Sequence, residues 1–142
     1  MKKQLCLLAA LFAISLACLA DTVPATTGHA SQETVQPAFA HALPNAPGKK
    51  LVGVLVTYTP GGTSKPHRHG DAFVVGYVLS GEIRSQLADG SSRVYHAGES
   101  WSESPGAHHV VSENASKTEP ASLLAIFVVD ANQKDLVTYD TP

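Results

Sequence analysis

The stretch Gly61-Gly-Thr-Ser-Lys-Pro-His67-Arg68-His69 is followed further along the chain by Pro105-Gly106-Ala107-His108-His109. On an extended segment the side chains alternate between two faces, so His67 and His69 share one face. A third histidine that arrives from a separate turn can complete a set of imidazole nitrogens around a metal ion. Three histidines that leave a coordination position open are typical of catalytic rather than closed structural sites. These two stretches therefore predict β-strands that carry a metal site.

The chain from Lys49 onward predicts short β-strands separated by turn residues. Glycine or proline stands at the corners, as at Pro60-Gly61 and Asp89-Gly90, and no segment has the periodicity of a long amphipathic helix. Strands this short, regularly interrupted by turn residues, indicate a sandwich or a barrel. The sequence therefore predicts an all-β fold with strands at 51–59, 73–79, 82–87, 92–96, 101–103, 109–112 and 123–130.

Two spaced motifs in residues 49–130 resemble those of the cupin family. The first cupin motif, G-x5-H-x-H-x(3,4)-E-x6-G, is matched at Gly61, His67, His69 and Gly81. The second, G-x5-P-x-G-x2-H-x3-N, is matched at Gly98, Gly106 and His109, with Pro105 and Asn114 each one place late. The resemblance implies a single-domain double-stranded β-helix, or jelly-roll barrel, over residues 49–142. It also implies that His67, His69 and His109 are metal ligands that project into the barrel.

The missing glutamate is the important departure from the cupin pattern. The resemblance implies a glutamate ligand seven residues before Gly81, where this chain has Val74. One interpretation is a three-histidine site like that of the cupin dioxygenases, which lack the carboxylate and keep iron with open positions. The other is a degraded site that binds an organic ligand, or nothing, without metal. Because all three histidines remain, we expect a metal.

Two other carboxylates are candidates to replace the absent glutamate. Glu103 lies on the strand that enters the Pro105-Gly106 turn, and an inward side chain would make it an additional ligand or a hydrogen-bond partner of a ligand histidine. Asp71 is closer to His69 in sequence, but we expect it in a turn at the barrel mouth. The alternative for both is an ordinary solvated or capping carboxylate.

His108 and His109 compete for the third ligand position. Adjacent strand residues face opposite sides, so only one of them can enter the barrel, and the family spacing after Gly106 selects His109. By the same alternation Arg68 is expected to face away from the metal. The aromatic residues Tyr77 and Trp101 are expected to belong to the core or to line the cavity.

The N-terminal region predicts export. Lys2 and Lys3 precede an apolar run at residues 5–19, and Ala20 offers a small residue for cleavage, which is the pattern of a secretory signal peptide at residues 1–20. The run is shorter than the roughly 20 residues that span a bilayer, so we expect a periplasmic or secreted protein without a membrane span. A lipoprotein acylated at Cys18 is the lesser alternative.

Residues 21–48 are rich in proline and predict an extended arm, with a short strand near residues 35–42.

Composition limits the classes of partner. The chain has 142 residues, of which 44% are hydrophobic, and its net charge is −2. Loss of residues 1–20 removes two lysines and leaves a net charge of −4, which argues against a nucleic-acid partner. The expected partners are a small-molecule ligand or substrate and a second copy of the chain in a homodimer, because small barrels of this kind keep exposed sheet edges.

Three functions agree with these features. The first is a metal-dependent dioxygenase acting on a small organic substrate. The second is a non-redox metalloenzyme, an isomerase or lyase that uses the metal as a Lewis acid. The third is a non-catalytic small-molecule binding module. The expected cofactor is a divalent metal, with Fe(II) favoured over Zn, Mn, Ni or Cu.

Overall fold

The computed structural model describes residues 32–141, which form ten β-strands in two five-stranded antiparallel sheets. Sheet I has the order β1-β2-β9-β4-β7, and sheet II has the order β10-β3-β8-β5-β6. This arrangement confirms the all-β, double-stranded β-helix fold that the sequence predicts. The strands are β1 (Glu33–Ala42), β2 (Lys49–Tyr58), β3 (His67–Arg68), β4 (Phe73–Ser80), β5 (Glu82–Leu87), β6 (Arg93–His96), β7 (Ser100–Glu103), β8 (His108–Asn114), β9 (Ala121–Asp130) and β10 (Thr138–Tyr139).

The predicted strands are present, with ends that differ by a few residues. β5 has the predicted bounds, whereas β8 and β9 begin one and two residues earlier than predicted. The short strand predicted in the N-terminal arm is confirmed as β1, and it pairs along its length with β2 of the same chain. The extended segment expected around His67 is present as the two-residue strand β3, whereas β10 was not predicted, because a strand of two residues is too short to show alternation. The predicted signal peptide at residues 1–20 lies outside the described residues.

Two apolar clusters fill the interior between the sheets. One contains Tyr58, Val78, Ile83, Ala121 and Leu123, and the other contains Ala72, Val74, Phe127 and Val129. Along β4 and β9 the two clusters are separated by a pair of small residues, because Gly76 lies opposite Ala125. A side chain built on Gly76 would overlap the Trp101 ring from β7. These small residues therefore leave space for the indole and for a cavity.

A β-bulge in β8 places the side chains of His109 and Ser112 on the same, interior face of the strand. Leu87 of β5 pairs with His109, while Gln86 pairs with Val111, so Val110 has no partner in this pair of strands. Residues three apart on a regular strand would face opposite sides, but the inserted residue brings both His109 and Ser112 inside. Both side chains are buried.

Within residues 32–141 the chain forms no helix long and apolar enough to cross a membrane.

Candidate metal centre

Three histidine side chains meet inside the barrel at the junction of β3 and β8. His67 pairs directly with His109 across the two strands, and His69 follows β3 immediately. The ring centroid of His67 lies 4.7 Å from that of His69 and 5.1 Å from that of His109. One nitrogen from each of the three rings lies within 4.8 Å of the others, so the group could hold a metal ion.

Backbone carbonyl groups fix two of the rings. Nδ1 of His67 donates to the Lys65 carbonyl at 2.7 Å, and Nδ1 of His69 donates to the Leu136 carbonyl at 2.8 Å. A carbonyl oxygen only accepts, so both Nδ1 atoms must carry the proton. The Nε2 lone pairs of His67 and His69 are therefore available to a metal, and the carbonyl partners set the ring orientations.

Burial keeps His67 in the form that binds metals. Desolvation lowers the pKa of His67 to about 4, assisted by the neighbouring His69 and His109 and opposed by the hydrogen bond to the Lys65 carbonyl. At neutral pH the ring is uncharged, and a metal does not have to displace a proton from it.

Glu103 lies at the same site. Its Oε1 accepts hydrogen bonds from Nδ1 of His109 and from Nε1 of Trp101, each at 3.1 Å. Burial raises the pKa of the carboxyl, but the hydrogen bond from His109, the electrostatic influence of His109 and His69 and the hydrogen bond from Trp101 together hold the pKa below its ordinary value. The side chain is thus a carboxylate, and it is buried.

The second carboxylate oxygen is the best test of whether these residues fit a metal. Glu103 Oε2 is buried without a hydrogen-bond partner and lies 3.6 Å from Nε2 of His69, whose proton is on Nδ1. Two lone pairs that face each other in a buried site are unfavourable unless a cation lies between them. A divalent cation held by the three histidines would satisfy both atoms, so the donor set of this site fits a metal.

His109 is the most constrained of the three rings. Its Nδ1 donates to Glu103, and its Nε2 lies 3.0 Å from the Ser85 hydroxyl, which can donate to the ring lone pair. The Ser85 hydroxyl has a free torsion and can turn aside for another ligand. Sequence reasoning missed Ser85, because its role depends on the pairing of β5 with β8.

Of the remaining residues singled out in the sequence, only Trp101 lies at the site. His108 faces away from the barrel, where its Nε2 is 2.8 Å from a carboxylate oxygen of Asp140. Arg68 also faces outward and donates to the Gly106 carbonyl at 3.2 Å. Asp71 is exposed, as expected for a turn. Of the two candidate aromatic residues, Trp101 lines the cavity, whereas Tyr77 is 40% exposed on the outer face of sheet I.

The histidines and Glu103 form part of the wall of a cavity of about 140 Å³. Most of the wall is aliphatic or aromatic. Four polar side chains that line the same cavity form a hydrogen-bonded cluster. The Tyr58 hydroxyl is 2.6 Å from that of Ser64 and 2.9 Å from that of Ser112, and Ser64 donates to Glu33. The apolar part of the wall consists of Val35, Val54, Val56, Val74, Trp101, Leu123, Ala125, Phe127, Leu136 and Val137.

The C-terminal segment closes the barrel beside the candidate metal site. Tyr139 pairs with His67 in sheet II, and their ring centroids are 6.0 Å apart. Leu136 supplies the carbonyl that orients His69, and Asp140 contacts His108. None of these roles has a sequence signal, since residues after Asp130 show neither a motif nor a clear alternation.

Comparisons with known proteins agree with this architecture. Residues 54–127 match the family described as Cupin domain. A structure of oxalate oxidase in complex with the substrate analogue glycolate is 25% identical, with a TM-score of 0.55, over 71% of this chain and 56% of that chain. A conserved protein with a double-stranded β-helix domain from Klebsiella pneumoniae is 26% identical, with a TM-score of 0.50, over 58% of this chain and 69% of that chain.

A DMSP lyase from Ruegeria pomeroyi shares the fold at 18% identity, with a TM-score of 0.53, over 63% of this chain and 42% of that chain. This chain spans just over half the length of the oxalate oxidase chains that it matches. No curated protein shows a significant match. The family match covers more than half of the chain, and the strand order and buried histidines agree with it. The chain belongs to the cupin domain family.

Proposed function

We propose that this cupin is a metal-dependent oxidoreductase of the dioxygenase type, which acts on a small organic substrate inside the barrel. The observation that carries the proposal is the convergence of three histidine nitrogens and the unpartnered Glu103 oxygen on the wall of an apolar cavity. His67, His69, His109 and Glu103 would hold the metal. A bound divalent metal, for which Fe(II) is favoured, supplies Lewis acidity and redox chemistry with oxygen.

The protein residues around the site perform three tasks. The carbonyl groups of Lys65 and Leu136 hold two imidazole rings in the tautomer that presents Nε2. Glu103 contributes one negative charge, which leaves a divalent metal with a net charge of +1. The apolar wall excludes water, so charges inside the cavity interact more strongly than they would in solution.

The oxidoreductase class is supported by an oxidase among the structural neighbours at 25% identity. The lyase neighbour, at 18% identity, shares the fold alone and does not favour lyase chemistry here. Cupin folds host many reactions, so the site and not the fold must support the reaction class.

One observation favours a second function, a small-molecule binding module that works without metal. Both nitrogens of His109 have partners inside the protein, Glu103 on one side and Ser85 on the other. This ring is therefore well satisfied without a metal ligand, as a purely structural histidine would be.

Oxygen uptake decides between the two functions. Protein loaded with Fe(II), and separately with Mn(II) or Zn(II), should be tested against a panel of small organic compounds. We expect oxygen consumption with a redox-active metal, none with Zn(II), and none with His67→Ala. Tight ligand binding by metal-free protein, without metal-dependent oxygen uptake across the panel, would support the binding module instead.

We further propose that the protein is exported and cleaved near Ala20 to give a periplasmic or secreted product. Mass spectrometry of protein made by its native host should give a mature chain that begins near Asp21. Retention of Met1 would contradict export, and an acylated Cys18 would identify a lipoprotein.

We also propose a homodimer, which an apolar outer face of sheet I supports. On β4 the exposed Phe73, Tyr77 and Leu79 alternate with buried residues. On β9 the half-buried Leu124, Ile126 and Val128 continue the same face, since Val128 pairs with Phe73 and Leu124 pairs with Tyr77. An exposed apolar patch of this kind is typical of a protein–protein contact.

A further inference from the structure

The ring of His109 is held in a different way from the other two histidine rings. Nδ1 of His67 and Nδ1 of His69 each donate to a backbone carbonyl, which leaves the Nε2 lone pairs for a metal. In His109 it is Nδ1 that lies 3.1 Å from Glu103 Oε1, whereas Nε2 lies 3.0 Å from the Ser85 hydroxyl on β5. The nitrogen of His109 that stands beside the carboxylate is therefore Nδ1.

The two oxygens of Glu103 indicate where a metal would lie. Oε2 is 3.6 Å from Nε2 of His69, and Oε1 is 3.1 Å from Nδ1 of His109. Ligand atoms that bind one divalent metal at about 2.1 Å stand about 3.0–3.4 Å apart in octahedral or tetrahedral geometry. Both separations are close to this range. A metal placed between Glu103 and His69 would thus meet Nδ1 of His109, because Nε2 is turned to Ser85.

The surroundings of His109 oppose a turn of the ring that would change these partners. The residue is 3% exposed, and its ring centroid lies 5.1 Å from that of His67 and 6.2 Å from that of Trp101. A half-turn about the Cβ–Cγ bond would exchange Nδ1 with Cδ2 and Nε2 with Cε1. Glu103 and Ser85 would then each face a carbon atom, and two hydrogen bonds would be lost in a buried site.

A change of tautomer makes Nδ1 available without moving the ring. In the metal-free protein Nδ1 of His109 donates its proton to Glu103, and Ser85 donates to Nε2. A neutral imidazole carries one proton on either nitrogen, and a hydroxyl group can donate or accept. When Nδ1 loses its proton and Nε2 gains one, the ring stays uncharged and no net proton is taken up or released. Nδ1 then has a lone pair for the metal, and Nε2 donates to Ser85 Oγ.

We propose that His109 binds the metal through Nδ1, whereas His67 and His69 bind it through Nε2, and that Ser85 is the positioning residue that accepts the Nε2 proton of His109. Ser85 does for this ring what backbone carbonyl groups do for the other two. The inference rests on the proposed metal site and deepens it. It also explains how a ring whose nitrogens both have protein partners without metal can still become a ligand.

Nuclear magnetic resonance of isotope-labelled protein tests the ligating nitrogens directly. Long-range proton–nitrogen correlations of the histidine rings distinguish protonated, unprotonated and metal-bound nitrogens, and they are recorded before and after addition of Zn(II). We expect Nδ1 of His109 to change from protonated to metal-bound, and Nε2 from unprotonated to protonated. His67 and His69 are internal references, because their Nδ1 atoms should stay protonated while Nε2 becomes metal-bound.

Ser85→Ala gives a second readout, whose sign separates the two ways of binding. If Ser85 accepts the Nε2 proton, its loss leaves a buried N–H group without a partner, and Zn(II) affinity should fall about tenfold in competition with a chelator. If Nε2 were the ligand, Ser85 would compete with the metal, and the substitution would leave the affinity unchanged or raise it. Ser80→Ala is the matched control, since it removes a hydroxyl that contacts Ser122 at an exposed position, and it should retain the wild-type affinity.

Two results would overturn the inference and leave the metal site in place. One is a metal-bound Nε2 in His109, and the other is a Zn(II) affinity of Ser85→Ala equal to or above that of the wild type. Histidine spectra that do not respond to Zn(II) would contradict the proposed metal site itself, and the inference with it. The proposed reaction is judged separately by oxygen uptake, on which none of these measurements depends.

Discussion

Val74 on β4 and Glu103 on β7 lie directly opposite each other across sheet I, and each residue is 2% exposed. Cross-strand partners of this kind point to the same face of the sheet, with Cβ atoms about 5 Å apart. The carboxylate that the cupin pattern implies at position 74 is therefore replaced by one on the adjacent strand. The valine is a departure from the motif, but the site keeps a carboxylate.

Exchange of these two side chains should move the carboxylate and preserve the site. Glu103→Val alone should weaken metal binding by about 10- to 100-fold, because it removes the proposed metal-binding carboxylate that lies beside His69 and His109. Addition of Val74→Glu to that variant should recover much of the loss, as measured by competition with a chelator. Asp71→Asn serves as the control, since Asp71 is exposed. Wild-type affinity in Glu103→Val would show that Glu103 does not interact with the metal.

The two adjacent histidines on β8 should differ sharply in their effect on metal content. His109→Ala should abolish stoichiometric metal, because His109 is buried in the three-histidine group. His108→Ala should largely retain it, because His108 contacts Asp140 outside the barrel. Elemental analysis of the purified variants provides the measurement, and the opposite pattern would place the third ligand one residue earlier.

Gly76 supports the metal site through Trp101. A Cβ at position 76 would overlap the indole ring, which donates to Glu103. Gly76→Ala should lower the free energy of unfolding by about 1–3 kcal/mol, shift the Trp101 emission and weaken metal binding. Gly53→Ala is a matched control, since its Cβ would overlap Phe39. It should destabilise the fold similarly without changing the emission, and equal effects of both variants on metal binding would contradict this role of Gly76.

Tyr58 should make stability fall at alkaline pH. Burial raises the pKa of its hydroxyl, the hydrogen bonds with Ser112 and Ser64 oppose this effect, and the nearby Glu33 and Tyr139 add to it. The unfolded chain then loses the Tyr58 proton first, so stability is lost as pH rises from about 10 through the higher pKa of the folded state.

Urea denaturation between about pH 9 and pH 11 measures this dependence. The free energy of unfolding of the wild type should fall more steeply with pH than that of Tyr58→Phe. Tyr77→Phe, at an exposed position, should behave like the wild type. Parallel pH profiles for the wild type and Tyr58→Phe would mean that Tyr58 ionises equally readily in both states.

The homodimer should depend on the outer face of sheet I. Light scattering at micromolar concentration should give a dimer mass for the wild type. A variant with Tyr77→Lys and Leu79→Lys should be monomeric, because both side chains are exposed on this face. A variant with Ser91→Lys and Ser92→Lys adds the same charge at exposed positions of the β5–β6 hairpin and should remain dimeric. A monomer mass for the wild type would contradict the proposed homodimer.

The sequence alone determined the all-β class, most of the strands and the three histidines. These features are local: alternation, turn residues and the spacing of His67 and His69 are written in short stretches of the chain. The third histidine required the family spacing as well, since alternation by itself cannot choose between His108 and His109.

Only the tertiary structure decided which other groups join these histidines. Glu103 reaches the site because β7 pairs with β4, and Ser85 reaches His109 because β5 pairs with β8. Glu33 enters the cavity because β1 pairs with β2, and Leu136 orients His69 from a segment with no motif. These contacts join residues far apart in sequence, so they follow from strand register and closure of the barrel, which a local pattern does not encode.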